Sequence, residues 1–150
     1  TRSSAATGKY SLEAASKCEC LEQDLTKDAL PLFTQIHHCG SVLTEVFFAM
    51  MISRILYGSV PAPGTMVIFS VLLATCSIGT PGLPWGTVMV SLGTLTGILK
   101  FGDSGVALMF AVFAIHDGFA AACNMTCDGA LALILTGYAK KREISKNTDI

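Results

Sequence analysis

No aspartate, glutamate, lysine or arginine occurs in the 45 residues from Ile55 to Leu99. Lysine and arginine are missing again from Phe101 to Ala139, where the charges are Asp103, Asp117 and Asp128 alone. A soluble domain has to clothe its surface in polar groups, and these two stretches hold over half of the 150 residues. They exclude an ordinary soluble globule and make lipid the expected solvent. Positive charge is also in short supply. A net charge of −1 and an isoelectric point near 6.2 leave no basic face for nucleic acid. There is no initiator methionine and no signal-peptide pattern at the start. The chain opens inside a small polar run, Thr1-Arg2-Ser3-Ser4-Ala5-Ala6-Thr7, which reads as the interior of a longer protein.

Cysteine is present, but its pattern is not that of a disulfide framework. Of Cys18, Cys20, Cys39, Cys76, Cys123 and Cys127, the last three lie in apolar runs, where a thiol packs like a small hydrophobe. Half of the sequence is hydrophobic, 14% is charged, and the mean hydropathy is +0.57.

Along the chain, residues 1–28 are a polar entry: helical composition over Tyr10–Lys17, then a charged loop from Leu21 to Asp28. The first membrane candidate covers 29–57, with Pro31 near its start. His37-His38-Cys39-Gly40-Ser41 interrupts its apolar pattern. A polar, glycine-containing break at bilayer depth is tolerated only where the backbone is buried in protein or lines a cavity. Two apolar helices follow, Met66–Ile78 and Thr87–Leu99, of 13 residues each. Each would reach about 20 Å, against a hydrocarbon core of about 30 Å. The segment between them, Gly79-Thr-Pro-Gly-Leu-Pro-Trp-Gly86, cannot continue a helix. The lengths favour a re-entrant hairpin over 66–99 rather than one kinked span, and short Gly/Pro-interrupted segments of this kind mark transporter sites.

The final helix is expected over 104–138, about 50 Å long and followed by a basic tail at 139–150. Eight of the ten lysines and arginines lie in the two ends of the chain, which places both ends in the cytoplasm. Asp117, Asn124 and Asp128 are spaced by seven and four, so they share one stripe of that helix. Acids at bilayer depth are costly unless paired, hydrated or bound to a cation, and the helix has no base to pair with them. Such a stripe suits a site for a cation or an ammonium group.

At these residues a resemblance appears. Asp117-Gly-Phe-Ala-Ala-Ala-Cys-Asn124-Met-Thr-Cys-Asp128 resembles the last transmembrane helix of the sodium:dicarboxylate symporter family, which includes glutamate and neutral amino acid symporters. Ser77-Ile-Gly-Thr-Pro-Gly-Leu-Pro84 is similar to that family's second hairpin tip, and Arg2-Ser-Ser-Ala-Ala-Thr7 to the serine-rich first tip. The resemblance implies an all-α membrane protein built of re-entrant hairpins and broken transmembrane helices. This would be an incomplete elevator-type transport domain, whose amino-terminal scaffold half, and the homotrimer it forms, lie outside this chain. Residues 1–28 would then be the second half of the first hairpin and a loop.

The implied function is sodium-coupled transport of a dicarboxylate or amino acid across a bacterial plasma membrane. It involves no catalytic residue and no cofactor beyond the coupling ions; the competing reading is a truncated, non-transporting remnant. By position, Arg2, Ser4, Ser41, Asp117 and Asn124 would meet substrate. Asp128, with carbonyls of Phe33, His37 and Asn124, would hold one sodium, and carbonyls of Gln35, Ser77, Ile78 and Thr80 a second.

Three departures stand out. Where the family's break reads Asn-Met-Asp-Gly-Thr, this chain has His37-His38-Cys39-Gly40-Ser41, replacing an amide and a carboxylate with donors that suit softer metals. Ala120 stands where many relatives carry an arginine that meets a substrate carboxylate, and Arg2 could serve instead. Trp85 and Cys127 replace usual glycines. Around the break itself no C-x2-C or H-x3-H partner is evident, so no zinc or copper site is expected there. His116, beside Asp117, is expected to be a packing residue.

Overall fold

In a computed structural model the chain is described over residues 3–80 and 86–148, and among these the regular elements are all α-helices. They are α1 (Ser4–Ser16), α2 (Gln23–Ile36), α3 (Cys39–Tyr57), α4 (Pro63–Ile78), α5 (Gly86–Gly97) and α6 (Asp103–Thr148). Arg2 and the segment 81–85, including Trp85, lie outside the described residues, as does the side chain of Ser4.

Two expectations about the elements are corrected. The charged stretch 21–28 is not a loop throughout, because α2 begins at Gln23. The reason is a buried row at every fourth residue, Thr26, Leu30 and Thr34, which packs the helix whatever the charges on its other face. Pro31 sits inside α2 and forgoes the bond to the carbonyl of Lys27, a residue exposed at the polar end. The last helix does not stop at Tyr138 but runs on through the basic segment to Thr148. At 46 residues it is about 69 Å long. The cysteine reading is also corrected at one point: Cys18 and Cys20 form a local disulfide, whereas Cys39, Cys76, Cys123 and Cys127 are free thiols.

The α2–α3 unit breaks at His37 and His38. His37 has an extended backbone (φ −99°, ψ 104°), its N–H still bonded to the carbonyl of Phe33 at 2.8 Å. At the other end α3 closes on Gly58, whose φ of 77° is a left-handed conformation that glycine adopts without strain. α6 is the spine: it packs along α3 most extensively, and also touches α1, α2 and α5. α4 and α5 pack against each other. At 16 and 12 residues they reach about 24 and 18 Å, short of a bilayer core.

Polar groups are buried beside the apolar core, and large apolar side chains lie outside. Glu45, Ser91, Asp117, Asn124 and Asp128 are buried, while Val67, Ile68, Val71, Ile115 and Phe119 face outward. Among the described residues, two helical stretches are long and apolar enough to cross a membrane, Gln23–Tyr57 and Asp103–Arg142. A core helix of a soluble protein would be mostly covered, but these are only 33% and 28% buried over their apolar windows. All of this is consistent with an all-α membrane protein.

Candidate functional site

The buried face of α6 reads Met109, Phe113, Asp117, Ala120, Ala121, Asn124, Asp128, Ala132 and Thr136. The spacing of three and four keeps these residues on one stripe, and along it the chemistry changes from apolar to polar near mid-helix. The apolar end joins Ala49, Ile52, Phe69, Leu73, Val88 and Leu95 in the main core. His116 is packed edge-on to Phe48 and stacked on Phe119.

The polar end of the stripe meets the α2–α3 break. Asn124 is 1% exposed, and its Oδ1 accepts the backbone N–H of Gly40 at 2.7 Å and of Ser41 at 3.3 Å. Its Nδ2 donates to Ser41 Oγ at 3.1 Å. A side chain from a distant helix thus does the work of an N-cap for α3, satisfying amides that no residue of α3 can reach. The close approach depends on Gly40. A Cβ there would sit 2.6 Å from both the Ala120 carbonyl oxygen and Cys123 Cβ.

One turn further, Asp128 is fully buried and its Oδ1 lies 2.8 Å from His37 Nδ1. Its other oxygen, Oδ2, has no hydrogen-bond partner among the described residues. Asp117 is buried on the same stripe and engaged with its surroundings. His38 is buried too. Its ring nitrogens make no well-formed hydrogen bond, and the backbones of Ile36 and Ser77 are nearby.

The end of α4 approaches the break from another side. A groove of about 480 Å³ is lined by His37, His38, Cys39, Ser70, Ser77 and Ile78 among others. Ser77 is buried, and its carbonyl accepts the N–H of Thr80 at 3.1 Å, while the Ile78 side chain is 60% exposed. His37, Ser41, Asn124, Asp128 and Ser77 therefore gather around the break, while Asp117 lies two turns further along the stripe of α6 and Thr80 is buried just beyond α4. Phe33 is half-buried, with its carbonyl already accepting from His37, and the Gln35 side chain is exposed. Ser4 begins α1, a helix tied to α6 by the Ser11 hydroxyl on the sulfur of Met125 at 3.3 Å.

Two features were missed in the sequence. Glu45 is fully buried in α3, hydrogen-bonded to the Ser91 hydroxyl of α5 and close to the Thr87 side chain. Its signal was plain enough: one acid in the apolar run after the break. The other is a cluster of thiols. Cys39, Cys123 and Cys127 have sulfur atoms all within 4.8 Å of one another. Neighbours of Cys39 in sequence gave no such hint, because its partners come from a C-x3-C pair one turn apart on α6.

The model of the sodium:dicarboxylate symporter family matches residues 1–138 of this chain. No curated protein and no solved structure gives a match.

Proposed function

The chain belongs to the sodium:dicarboxylate symporter family, and from that premise we propose that it forms the ion- and substrate-binding part of a cation-coupled symporter. The substrate is a dicarboxylate or an amino acid, and the coupling ion is sodium. In this reading the chain works with an amino-terminal scaffold half in a bacterial plasma membrane, its carboxy terminus cytoplasmic. Trimer formation belongs to that scaffold. The first and second hairpin tips, the α2–α3 break and the α6 stripe surround the substrate, and transport moves them together as an elevator.

The observation that supports this most is the unpartnered Oδ2 of the fully buried Asp128, set beside a helix break. A buried carboxylate oxygen without a donor is costly, and a cation supplies what it lacks. Sodium is a hard ion that takes oxygen ligands, and broken helices offer their end carbonyls to it. Asp117, further up the stripe, serves a substrate amino group in this reading. Arg2 and Ser4 serve substrate from the first tip and Ser41 from the break. Carbonyls of Phe33, His37 and Asn124 complete the site of Asp128, and those of Gln35, Ser77, Ile78 and Thr80 form the second.

A specific observation also favours the competing reading of a non-transporting remnant. Asp128 Oδ1 is taken by His37, and the Asn124 amide by the start of α3, so much of the polar site is satisfied within the chain. Uptake of labelled dicarboxylates and amino acids by cells making the complete protein separates the two. Sodium-stimulated uptake that disappears in Asp128→Ala supports the symporter. No uptake of any of them with protein present in the membrane supports the remnant.

A further inference from the structure

We propose that Cys39, Cys123 and Cys127 form a thiolate site for a divalent d10 cation of the zinc class, at the crossing of α3 and α6. The three sulfurs already lie within 4.8 Å of one another. Metal–sulfur bonds of about 2.3 Å put neighbouring sulfurs of a tetrahedral site about 3.8 Å apart, so rotation of the side chains is enough to close on an ion. The positions are held by backbone packing. Cys123 and Cys127 are one turn apart on α6, and Cys39 begins α3, where Gly40 rests against the Ala120 carbonyl and Cys123 Cβ. Asn124, between the two helical cysteines, fixes α3 through its bonds to Gly40 and Ser41.

Cys123 is exposed while Cys39 and Cys127 are half-buried, so the three sulfurs are not sealed off by the packing of this chain. The neighbouring imidazoles do not join it. His37 is engaged with Asp128, and His38 is buried toward Ile36 and Ser77.

The choice of ion follows from donor type and charge. Three sulfurs select soft or borderline metals over sodium, calcium or magnesium. Each thiol yields its proton on binding. A divalent ion then leaves one net negative charge, whereas a monovalent copper ion would leave two in a low-dielectric setting that penalises each. Three protein ligands leave the fourth tetrahedral position to water or a small donor. An ion bound there would tie the start of α3 to α6 beside Asn124.

The site does not depend on the transport reading, and its test is spectroscopic. The full protein, reduced and in detergent or nanodiscs, is titrated with cobalt(II) as the probe and then with zinc. One equivalent of cobalt is expected to give thiolate-to-cobalt charge-transfer absorption, which zinc abolishes by displacement. Cys123→Ser changes one atom of an exposed side chain, and its circular dichroism and melting should match wild type. It is expected to weaken binding by more than about 100-fold, beyond what loss of an outer-shell group costs. Cys39→Ser and Cys127→Ser should do the same, while Cys76→Ser, a thiol elsewhere on the molecule, should leave the titration unchanged. Absence of the band in reduced wild-type protein overturns the site, as does a band that persists in Cys123→Ser. Tight binding of copper(I) with none of cobalt or zinc overturns the choice of ion.

Discussion

Asn124 sits where one side chain joins two helices. Its amide offers an acceptor to two backbone N–H groups and a donor to Ser41 Oγ. Net contributions of about 1 kcal/mol per hydrogen bond, plus the cost of leaving buried amides bare, put the loss in Asn124→Ala at roughly 2–4 kcal/mol. Asn124→Asp keeps the acceptor for both amides and should lose much less. Thermal unfolding in detergent, read by circular dichroism, is expected to rank wild type, Asp, then Ala. An alanine variant as stable as wild type would mean that the cap contributes nothing. That Asn124 lies on one stripe with Asp117 and Asp128 was legible in sequence, because helical spacing alone settles it. That its amide faces the start of α3 was not, since the contact spans 84 residues and depends on how two helices cross. The same holds for His37 on Asp128. Both residues stood out in the sequence, one as a polar break and one as a buried acid, but nothing local pairs them.

At the level of elements, the α3–α6 crossing depends on Gly40. Gly40→Ala would drive a methyl group into the backbone carbonyl of Ala120, which cannot rotate away. Overpacking of this kind costs roughly 1–3 kcal/mol and moves the helices apart. The shift should also separate Cys39 from Cys123, so Gly40→Ala is expected both to lower thermal stability and to weaken cobalt binding. Unchanged values for both would show that the crossing is loose. Glu45 ties α3 to α5 through Ser91. Glu45→Gln preserves an acceptor for that hydroxyl and should be tolerated. Glu45→Leu leaves Ser91 Oγ only the Val88 carbonyl at 3.0 Å and removes the tie between the helices, so it should be destabilised by about 1 kcal/mol in the same melting assay. Equal stability of the two variants would remove the bond from the list of what holds α5 in place.

The elements themselves were partly legible. Short helices around a Gly/Pro segment, the break at 37–41 and the long last helix all follow from apolar run lengths and helix breakers. α2 was hidden over its first turn because Gln23-Asp24 and Lys27-Asp28 look like loop, while its packing row of Thr26, Leu30 and Thr34 contains only one strong hydrophobe. The continuation of α6 past Tyr138 was hidden for a related reason. A basic segment ends a membrane span by composition, but lysine, arginine and glutamate are good helix formers and nothing there breaks the helix.

For the molecule as a whole, buried polar groups and bare apolar side chains on the outside are consistent with a lipid surrounding. The protein is expected to stay with the membrane fraction through alkaline carbonate washing, and release into the supernatant would contradict its placement in the bilayer. Family membership makes the chain part of a symporter type, and the proposal that a coupling ion binds at Asp128 rests on its buried carboxylate oxygen. The most direct measurement is uptake of radiolabelled dicarboxylate by cells making the complete protein, with sodium present or replaced by choline, for wild type and Asp128→Ala. A sodium site at Asp128 predicts sodium-stimulated uptake in wild type and none above background in the variant. Undiminished sodium-stimulated uptake in Asp128→Ala would contradict it.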